Sequence, residues 1–311
     1  MGRIMTIGEI LVEIMATERG QSFRAPGTLT GPFPSGAPAI FIDQVGKLGS
    51  SAGIIGCVGD DDFGWMTIDR LRRDGVDTSA IAVLGDATTG SAFVTYTAAG
   101  ERHFIFNLAN SASGRLSVLS VSEAVVAECT WLHVMGSSLF SPGVTAAVQK
   151  AVRLVKHRGG VISFDPNVRP EILRGAGMRE SLRSILEQTD VFLPSGDEVT
   201  LLVDGRTETE AVEQLLGLGV REVIVKHGSQ GSAYYDRSSR LDTPAPAVRE
   251  VDPTGAGDCF CATYVACREA GNDLDQSLRY ACASGALAVT RKGPMEGTAS
   301  FAELDALLLK T

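Results

Sequence analysis

The sequence alternates short apolar runs of strand length with longer segments that carry apolar residues at helical spacing. The runs that fit strands are RIMTIG (3–8), SAGIIGCVG (51–59), CTWLHVMG (129–136), GGVISFDPN (159–167), VFLPS (191–195) and EVIVKHG (222–228). The helical segments between them include 140–157, 178–189 and 208–218. This alternation predicts an α/β fold with a doubly wound, mainly parallel sheet and helices on both faces. Ligands of such folds bind beyond the carboxyl ends of the strands.

Residues 89–107 break this alternation. Two alternating runs flank the segment AAGER there, which is typical of an antiparallel hairpin. Residues 10–34 are similarly extended. We interpret 10–34 and 89–107 as a small β-lid over the ligand cleft, with an ordinary edge hairpin as the alternative. No linker separates two independent halves, so we expect a single domain over 1–311.

The composition excludes several functions. The chain has 311 residues and a net charge of -9 without a basic cluster, whereas binders of nucleic-acid phosphates normally have a basic surface. No run reaches the roughly 18 apolar residues of a membrane span, and the N-terminal IMTIGEILVEIM lacks a basic leader. We therefore expect a cytoplasmic protein with neither nucleic-acid nor membrane partners. The six cysteines form no CxxC pair, which predicts buried, reduced thiols.

The stretch VDPTGAGDCF (251–260) carries the clearest chemical signal. Gly255, Ala256 and Gly257 allow a ligand to approach the backbone closely, and helical periodicity follows until Gly271. The N–H groups of a helix start can hold a phosphate, and Asp258 in the first turn can accept a proton from an attacking hydroxyl. From the spacing alone, an Asp258 that only complements the helix dipole is the somewhat better explanation.

Together these residues resemble the ribokinase-like PfkB family of sugar kinases. The signature of that family is close to DTTGAGDxF, and the corresponding segment here is DPTGAGDCF (252–260). The resemblance extends over nearly the whole chain, because SGAPAIFIDQVGKLG (35–49), FDPNVRPEIL (164–173), VIVKHGSQGS (223–232) and ALAVTRKGP (286–294) follow in the family order. It implies a ribokinase-like fold and phosphorylation of a sugar hydroxyl with ATP and Mg2+.

The resemblance also implies roles for individual residues. Asp258 resembles the catalytic base of the family, and the segment Gly255, Ala256, Gly257 resembles its anion hole. Ser195 and Glu198 occupy the ends of the NxxE element, so Glu198 is expected to act on Mg2+ through water. The residues that match nucleotide contacts are Lys226, His227, Gly228 and Gly231 in one loop, and Ala283 and Ala286 beside the adenine. Asp252 and Thr254 resemble residues of the family's monovalent-cation loop, for which K+ is the expected ion.

The sugar side departs from the family at two positions. Glu13 stands where the family usually has an Asp that holds sugar hydroxyls, and Ile40 replaces the usual Asn, so the hydroxyl pattern that is recognised must differ. The other residues that match sugar contacts are the pair Gly36 and Ala37 and the cleft residues Asn167 and Arg169. The lid aromatics Phe104 and Phe106 would cover a neutral sugar, and core packing within the hairpin explains them equally well.

The sequence leaves the exact sugar open. Keto-acid kinases hold the carboxylate of their substrate partly with a lid arginine, and Leu108 occupies that place here. We therefore expect phosphorylation of a primary hydroxyl of a neutral ketohexose, tagatose or fructose. The alternatives are a 2-keto-3-deoxygluconate kinase that uses Arg169 and, in another class, a non-catalytic sugar- or nucleotide-binding regulator. The exposed apolar face of the lid predicts a homodimer that pairs through it.

Overall fold

The computed structural model describes residues 2–98, 102–168 and 177–310 of the chain. The strands of these residues are β1 (Arg3–Ile7), β2 (Leu11–Arg19), β3 (Leu29–Ser35), β4 (Ala52–Gly59), β5 (Val76–Asp77), β6 (Ile81–Leu84), β7 (Gly90–Tyr96), β8 (Arg102–Asn107), β9 (Cys129–Met135), β10 (Val161–Asp165), β11 (Val191–Phe192), β12 (Glu222–Lys226), β13 (Ser232–Tyr235) and β14 (Arg240–Thr243). Their α-helices are α1 (Ala37–Lys47), α2 (Asp62–Arg73), α3 (Pro142–His157), α4 (Met178–Leu186), α5 (Glu208–Gly217), α6 (Ala256–Glu269), α7 (Leu274–Ala288) and α8 (Phe301–Leu308).

The large sheet has the strand order β14-β13-β12-β11-β10-β9-β1-β4-β5, with β6 paired to β4. The six apolar runs singled out in the sequence are its central strands, and neighbouring strands from β12 to β4 pair in parallel. The strands β13 and β14 extend one edge in antiparallel pairing. The predicted doubly wound, mainly parallel sheet is thus confirmed.

Alternate residues of this sheet pack against helices on opposite faces. Ile4 and Ile54 belong to a hydrophobic cluster that includes residues of α1, α2, α6, α7 and α8. Their neighbours Met5 and Ile55 belong to a second cluster, with residues of α3, α4 and α5. This division follows from the two-residue period of a strand. The six cysteines are buried free thiols, as predicted.

A second sheet, which we call the lid, has the strand order β3-β2-β7-β8. The strand β2 pairs antiparallel with β3 and parallel with β7, and β7 pairs antiparallel with β8. The turn between β7 and β8, at 99–101, lies outside the described residues. Along β8, partly buried and exposed side chains alternate, so one face of the lid covers the protein and the other faces solvent.

Within the described part of the chain, no helix has both the length and the apolar character needed to cross a bilayer. Polar side chains at the carboxyl ends of the parallel strands meet at one edge of the large sheet. Asp165 ends β10 and Lys226 ends β12, and the two side chains are in contact. The first turn of α6 reaches the same edge, where Asp258 contacts Asn167.

Candidate active site

The start of α6 has the features of an anion site. Gly255 is the N-cap, with φ 83° and ψ -7°, and no side chain of the described residues caps this helix. The N–H groups of the first turn therefore lack the side-chain acceptor that usually satisfies such donors. A Cβ atom at Gly255 would lie 2.4 Å from the carbonyl oxygen of Pro294, so a close backbone approach requires glycine here. This arrangement fits a bound phosphate.

Asp258 lies in the first turn of this helix and is only 7% exposed. Its Oδ1 accepts a hydrogen bond of 2.9 Å from Nδ2 of Asn167. Asn167 follows β10 directly and has a φ of 42°, which is rare for a residue other than glycine. The structure therefore brings the predicted sugar contact Asn167 to the candidate base. Arg169, the other predicted cleft residue, lies outside the described residues.

A buried ion pair lies beneath the helix start. Nζ of Lys226 is 2.5 Å from Oδ2 of Asp165 and 3.3 Å from Sγ of Cys261. Burial acts to lower the pKa of Lys226, but the negative charges of Asp165, Cys261 and Glu198 and the hydrogen bond to Asp165 together outweigh it and hold that pKa above its ordinary value. The ammonium also lies 3.5 Å from the place that a Cβ atom of Gly257 would occupy. A buried ammonium requires a charged partner, and that of Lys226 contacts Asp165, while the expected place of Lys226 along the nucleotide stays a prediction.

The other predicted nucleotide residues form the connection between β12 and β13. The N–H of His227 donates to the carbonyl oxygen of Gly231 over 2.8 Å, which closes a tight turn, and Gly228 lies within it with a φ of 56°. Nε2 of His227 is 2.8 Å from a carboxylate oxygen of Glu208. Sγ of Cys282 lies 3.4 Å from Oγ of Ser232, which places α7 beside this turn.

The two residues of α7 that are expected beside the adenine differ in exposure. Ala283 has no exposed surface, because it is packed inside the cluster that joins α6 and α7. Its expected place beside the adenine stays a prediction. Ala286 retains 8% of its surface and stays a candidate.

Glu198 is held by backbone amides. Its Oε1 accepts from the N–H of Val168 and its Oε2 from the N–H of Ser195, both over 2.7 Å. Burial and the negative charge of Asp165 raise the pKa of Glu198. The described residues contain no cluster of three or more potential metal ligands. Because backbone N–H groups hold both of its oxygens, the carboxylate of Glu198 fits the expected action on Mg2+ through water.

The candidate cation loop is organised by Asp252, which is 2% exposed. Its Oδ1 accepts from the backbone N–H of Thr254 over 3.1 Å and from Oγ1 of Thr254 over 2.8 Å. Its Oδ2 accepts from the N–H of Gly293 over 3.1 Å. The carboxylate therefore fixes the shape of the loop that leads into the anion site.

Arg102, a lid residue at the start of β8, was not among the residues predicted from the sequence. Its guanidinium donates to Oγ1 of Thr254 over 3.0 Å and lies 5.7 Å from the centre of the Phe104 ring. Arg102 and the two aromatics Phe104 and Phe106 alternate along one strand and share its covered face. Arg102 could have been found from this alternation, because the two-residue period of a strand places its guanidinium on the same face as Phe104 and Phe106.

The sugar side of the cleft is built from the start of α1 and the strand β2. Oγ of Ser35 donates to Oε1 of Glu13 over 2.7 Å, and Glu13 is 6% exposed. Gly36, with a φ of 107°, is the N-cap of α1, and Ala37 is its first residue. A Cβ atom at Gly36 would lie 2.5 Å from the carbonyl oxygen of Glu9, so this position also requires glycine.

Ile40, the residue that replaces the family's usual Asn, is buried against the backbone of the anion site. Its Cγ2 is 3.3 Å from the place that a Cβ atom of Gly255 would occupy. An apolar side chain at this point supports the helix start by packing and offers a sugar no hydrogen bond.

The lid aromatics pack against each other. Phe104 and Phe106 are stacked, with ring centres 5.2 Å apart. Phe106 and Leu108 line a cavity of about 600 Å³ together with Phe140 and Met178. One of the two predicted aromatics therefore reaches an open space at the edge of the lid, while both take part in packing within the hairpin.

Comparisons with known proteins agree with this geometry. The model of the pfkB family carbohydrate kinases matches residues 1–300. The probable fructokinase-5 of Arabidopsis thaliana is 32% identical over 314 residues, which cover 98% of this chain and 97% of that protein. A candidate ribokinase II of E. coli, solved in complex with ATP and Mg2+, is 53% identical with a TM-score of 0.96, and both chains are covered completely.

A fructokinase double mutant of Vibrio cholerae O395 was solved with fructose, ADP and potassium ion bound. It is 25% identical to this chain, with a TM-score of 0.88 and coverage of 99% of this chain and 98% of that one. The matches extend over the whole sheet and over the glycine-rich start of α6. The chain therefore belongs to the PfkB family of carbohydrate kinases and is a sugar phosphotransferase with the ribokinase-like fold.

Proposed function

We propose that this chain is an ATP-dependent kinase that phosphorylates a primary hydroxyl of a neutral ketohexose, fructose or tagatose. The observation that carries the proposal is the position of Asp258 in the first turn of α6, directly beside the uncapped N–H groups. This arrangement puts a proton acceptor next to a site for negative charge, as phosphoryl transfer to a hydroxyl requires. The fructokinase names of the relatives favour fructose over tagatose.

Each residue of the site has a task in this reaction. Asp258 accepts the proton of the attacking hydroxyl. The N–H groups of Ala256 and Gly257 stabilise the charge that develops on the transferred group, and the ammonium of Lys226 adds positive potential beneath them. ATP would supply the phosphoryl group, and Mg2+ would neutralise part of the charge of its phosphates. Glu198 would order water around Mg2+ through its carboxylate.

The residues around the turn after β12 and on the adjoining part of α7 would contact ATP. They are His227, Gly228, Gly231 and Ala286. Asp252 and Thr254 would shape a site for K+. The potassium ion bound to the Vibrio cholerae fructokinase supports that assignment.

A second candidate, a 2-keto-3-deoxygluconate kinase, is favoured by one observation. The preference for a neutral sugar assumed that the lid brings no cation to the cleft, because Leu108 stands at the expected arginine position. Arg102 does bring one, and its guanidinium reaches the loop before the anion site. A guanidinium is a strong partner for a substrate carboxylate.

A coupled ADP-release assay with Mg-ATP distinguishes these candidates. The panel contains fructose, tagatose, ribose and 2-keto-3-deoxygluconate, and Asp258→Asn serves as the control. We expect kcat/KM for fructose or tagatose to exceed that for the keto acid by at least about tenfold. A preference for the keto acid contradicts the neutral-sugar proposal. Sugar binding without turnover on any member favours the regulator, and near-normal turnover by Asp258→Asn contradicts the role of the base.

The proposal includes a homodimer that pairs through the outer face of the lid. Leu29 is 41% exposed and Ile105 is 58% exposed on the lid strands β3 and β8. Exposed apolar side chains on a sheet favour pairing with a second copy. Sedimentation equilibrium of the chain and of Ile105→Asp tests this, because a wild-type monomer contradicts it.

A further inference from the structure

Asn167 has a backbone conformation that few residues adopt. Its φ of 42° is the only positive value found outside glycine in residues 2–98, 102–168 and 177–310. Asparagine tolerates this left-handed region better than most residues, but the conformation persists only where surrounding contacts hold it. The contacts that hold Asn167 therefore indicate what the conformation is for.

The first contact is made by the backbone. The N–H of Asn167 donates to Oδ1 of Asp165 over 3.0 Å, while Oδ2 of the same carboxylate accepts from Lys226 over 2.5 Å. Asp165 is 1% exposed and Lys226 is 7% exposed. Because the loss of one partner leaves the other as a buried, uncompensated charge, the carboxylate of Asp165 cannot rotate away at low cost. The ion pair therefore fixes the peptide of Asn167.

The second contact is made by the side chain, whose Nδ2 donates to Oδ1 of Asp258. We propose that Asn167 is a positioning residue for the catalytic base: its amide orients the carboxylate of Asp258, and the pair Lys226 and Asp165 locks Asn167 in the strained conformation that this requires. The proposal rests on the proposed role of Asp258 as the base. It replaces the interpretation of Asn167 as a sugar contact that the resemblance implied.

The physical effect of the amide is twofold. A carboxylate that accepts a hydrogen bond is favoured in its ionised form, which is the form that can take a proton from a hydroxyl. A carboxylate held in one rotamer also needs no reorientation before the reaction, and misplacement of a reacting group by about 1 Å costs up to roughly a hundredfold in rate. The charged side chains around Asn167 and Asp258 are those of Lys226, Asp165 and Glu198.

The test is Asn167→Gly, with Asn272→Gly as the matched control. Glycine adopts a positive φ without strain, so the backbone path is kept while the amide is removed. Asn272 lies just beyond the other end of α6, about 20 Å from Asp258 along a helix of 14 residues. We expect kcat of Asn167→Gly to fall by roughly tenfold to a hundredfold, with KM for sugar and ATP changed by less than about twofold. The control keeps its kcat.

A second readout is the acid limb of the kcat/KM profile against pH, which we expect to move to higher pH in Asn167→Gly. Asn167→Asp keeps the size of the side chain and its tolerance of positive φ, but has no donor and adds a negative charge. Its acid limb should therefore move further in the same direction.

The outcomes separate this proposal from the assignment of the base. An unchanged kcat in Asn167→Gly, or a raised sugar KM with an unchanged acid limb, overturns the positioning role. Near-normal turnover by Asp258→Asn overturns the base itself. Loss of turnover in Asp258→Asn together with normal kinetics in Asn167→Gly removes only the positioning role.

Discussion

Gly255 and Gly271 lie at opposite ends of α6 with nearly the same backbone conformation, at φ 83° and φ 82°. A Cβ atom at Gly271 would meet nothing within 4 Å, whereas one at Gly255 would lie 2.4 Å from the carbonyl oxygen of Pro294. At the scale of single residues, the same substitution at these two positions therefore distinguishes two effects that lower stability. One is the strain of a left-handed backbone, and the other is the displacement of the loop that packs against the anion site.

We expect Gly271→Ala to lower the free energy of unfolding by about 1 to 2 kcal/mol, because an L-residue is strained at this φ, and to leave kcat unchanged. Gly255→Ala carries the same strain and a backbone clash, so it should be less stable still. Its kcat should fall by at least roughly tenfold, since the N–H groups of the helix start must shift. Chemical denaturation and steady-state kinetics of both variants check this. An equal loss of kcat in the two variants would contradict it.

At the scale of elements, Arg102 connects the lid to the loop before α6. The strand β8 carries this side chain to Thr254, which also belongs to the loop organised by Asp252. Movement of the lid away from the cleft would break a hydrogen bond from a charged donor. If the sugar binds beneath the lid, as proposed, this hydrogen bond links its binding to the loop before α6.

We expect Arg102→Met to raise KM for the sugar by about tenfold, because a hydrogen bond to a charged group contributes about 1.5 to 3 kcal/mol. Thr254→Val removes the other partner, so the double variant should lose little beyond the larger single loss. Arg19→Met, at an exposed arginine of β2, is the control. The four kinetic measurements form a double-mutant cycle, and strictly additive losses would show that the two side chains do not act together.

At the scale of the whole molecule, a buried ionic network joins α1, α2 and the segment after α7. The Arg70 guanidinium donates to Asp43 over 3.1 Å, to Asp74 over 2.6 Å and to the carbonyl oxygen of Met295 over 2.6 Å. Asp43 has no exposed surface. Burial raises the pKa of Asp43 to about 7, although the charge of Arg70 acts against this.

This raised pKa predicts a pH dependence of stability. Since the folded-state pKa of Asp43 lies above its value in the unfolded chain, the folded protein binds more protons between about pH 4 and about pH 7. The contribution of Asp43 to stability is therefore complete below this window and is lost as pH rises through about 7, with a slope of at most about 1.4 kcal/mol per pH unit. Asp43→Asn should lack this slope. Denaturation of both proteins across the window measures it, and identical slopes would contradict the assignment.

Local features of the sequence were sufficient for much of the fold. The apolar runs identified the six central strands because a strand buried on both faces is apolar throughout its length. The alternation around AAGER predicted the pairing of β7 with β8, and the glycines of 255–257 with the periodicity behind them predicted the start of α6. Each of these features depends on neighbours in the chain, so short-range patterns reveal it.

The contacts within the site depend on distant residues. Asn167 and Asp258 are 91 positions apart, and Arg102 and Thr254 are 152 positions apart. Their meeting follows from strand order and lid placement, which periodicity does not encode. The ion pair of Lys226 with Asp165 was not predicted for the same reason, since Asp165 lies on another strand. The sequence by itself therefore determined the elements, the glycines and the candidate base, whereas the tertiary structure alone decided which side chains surround that base, because a long-range contact exists only once the sheet has been assembled.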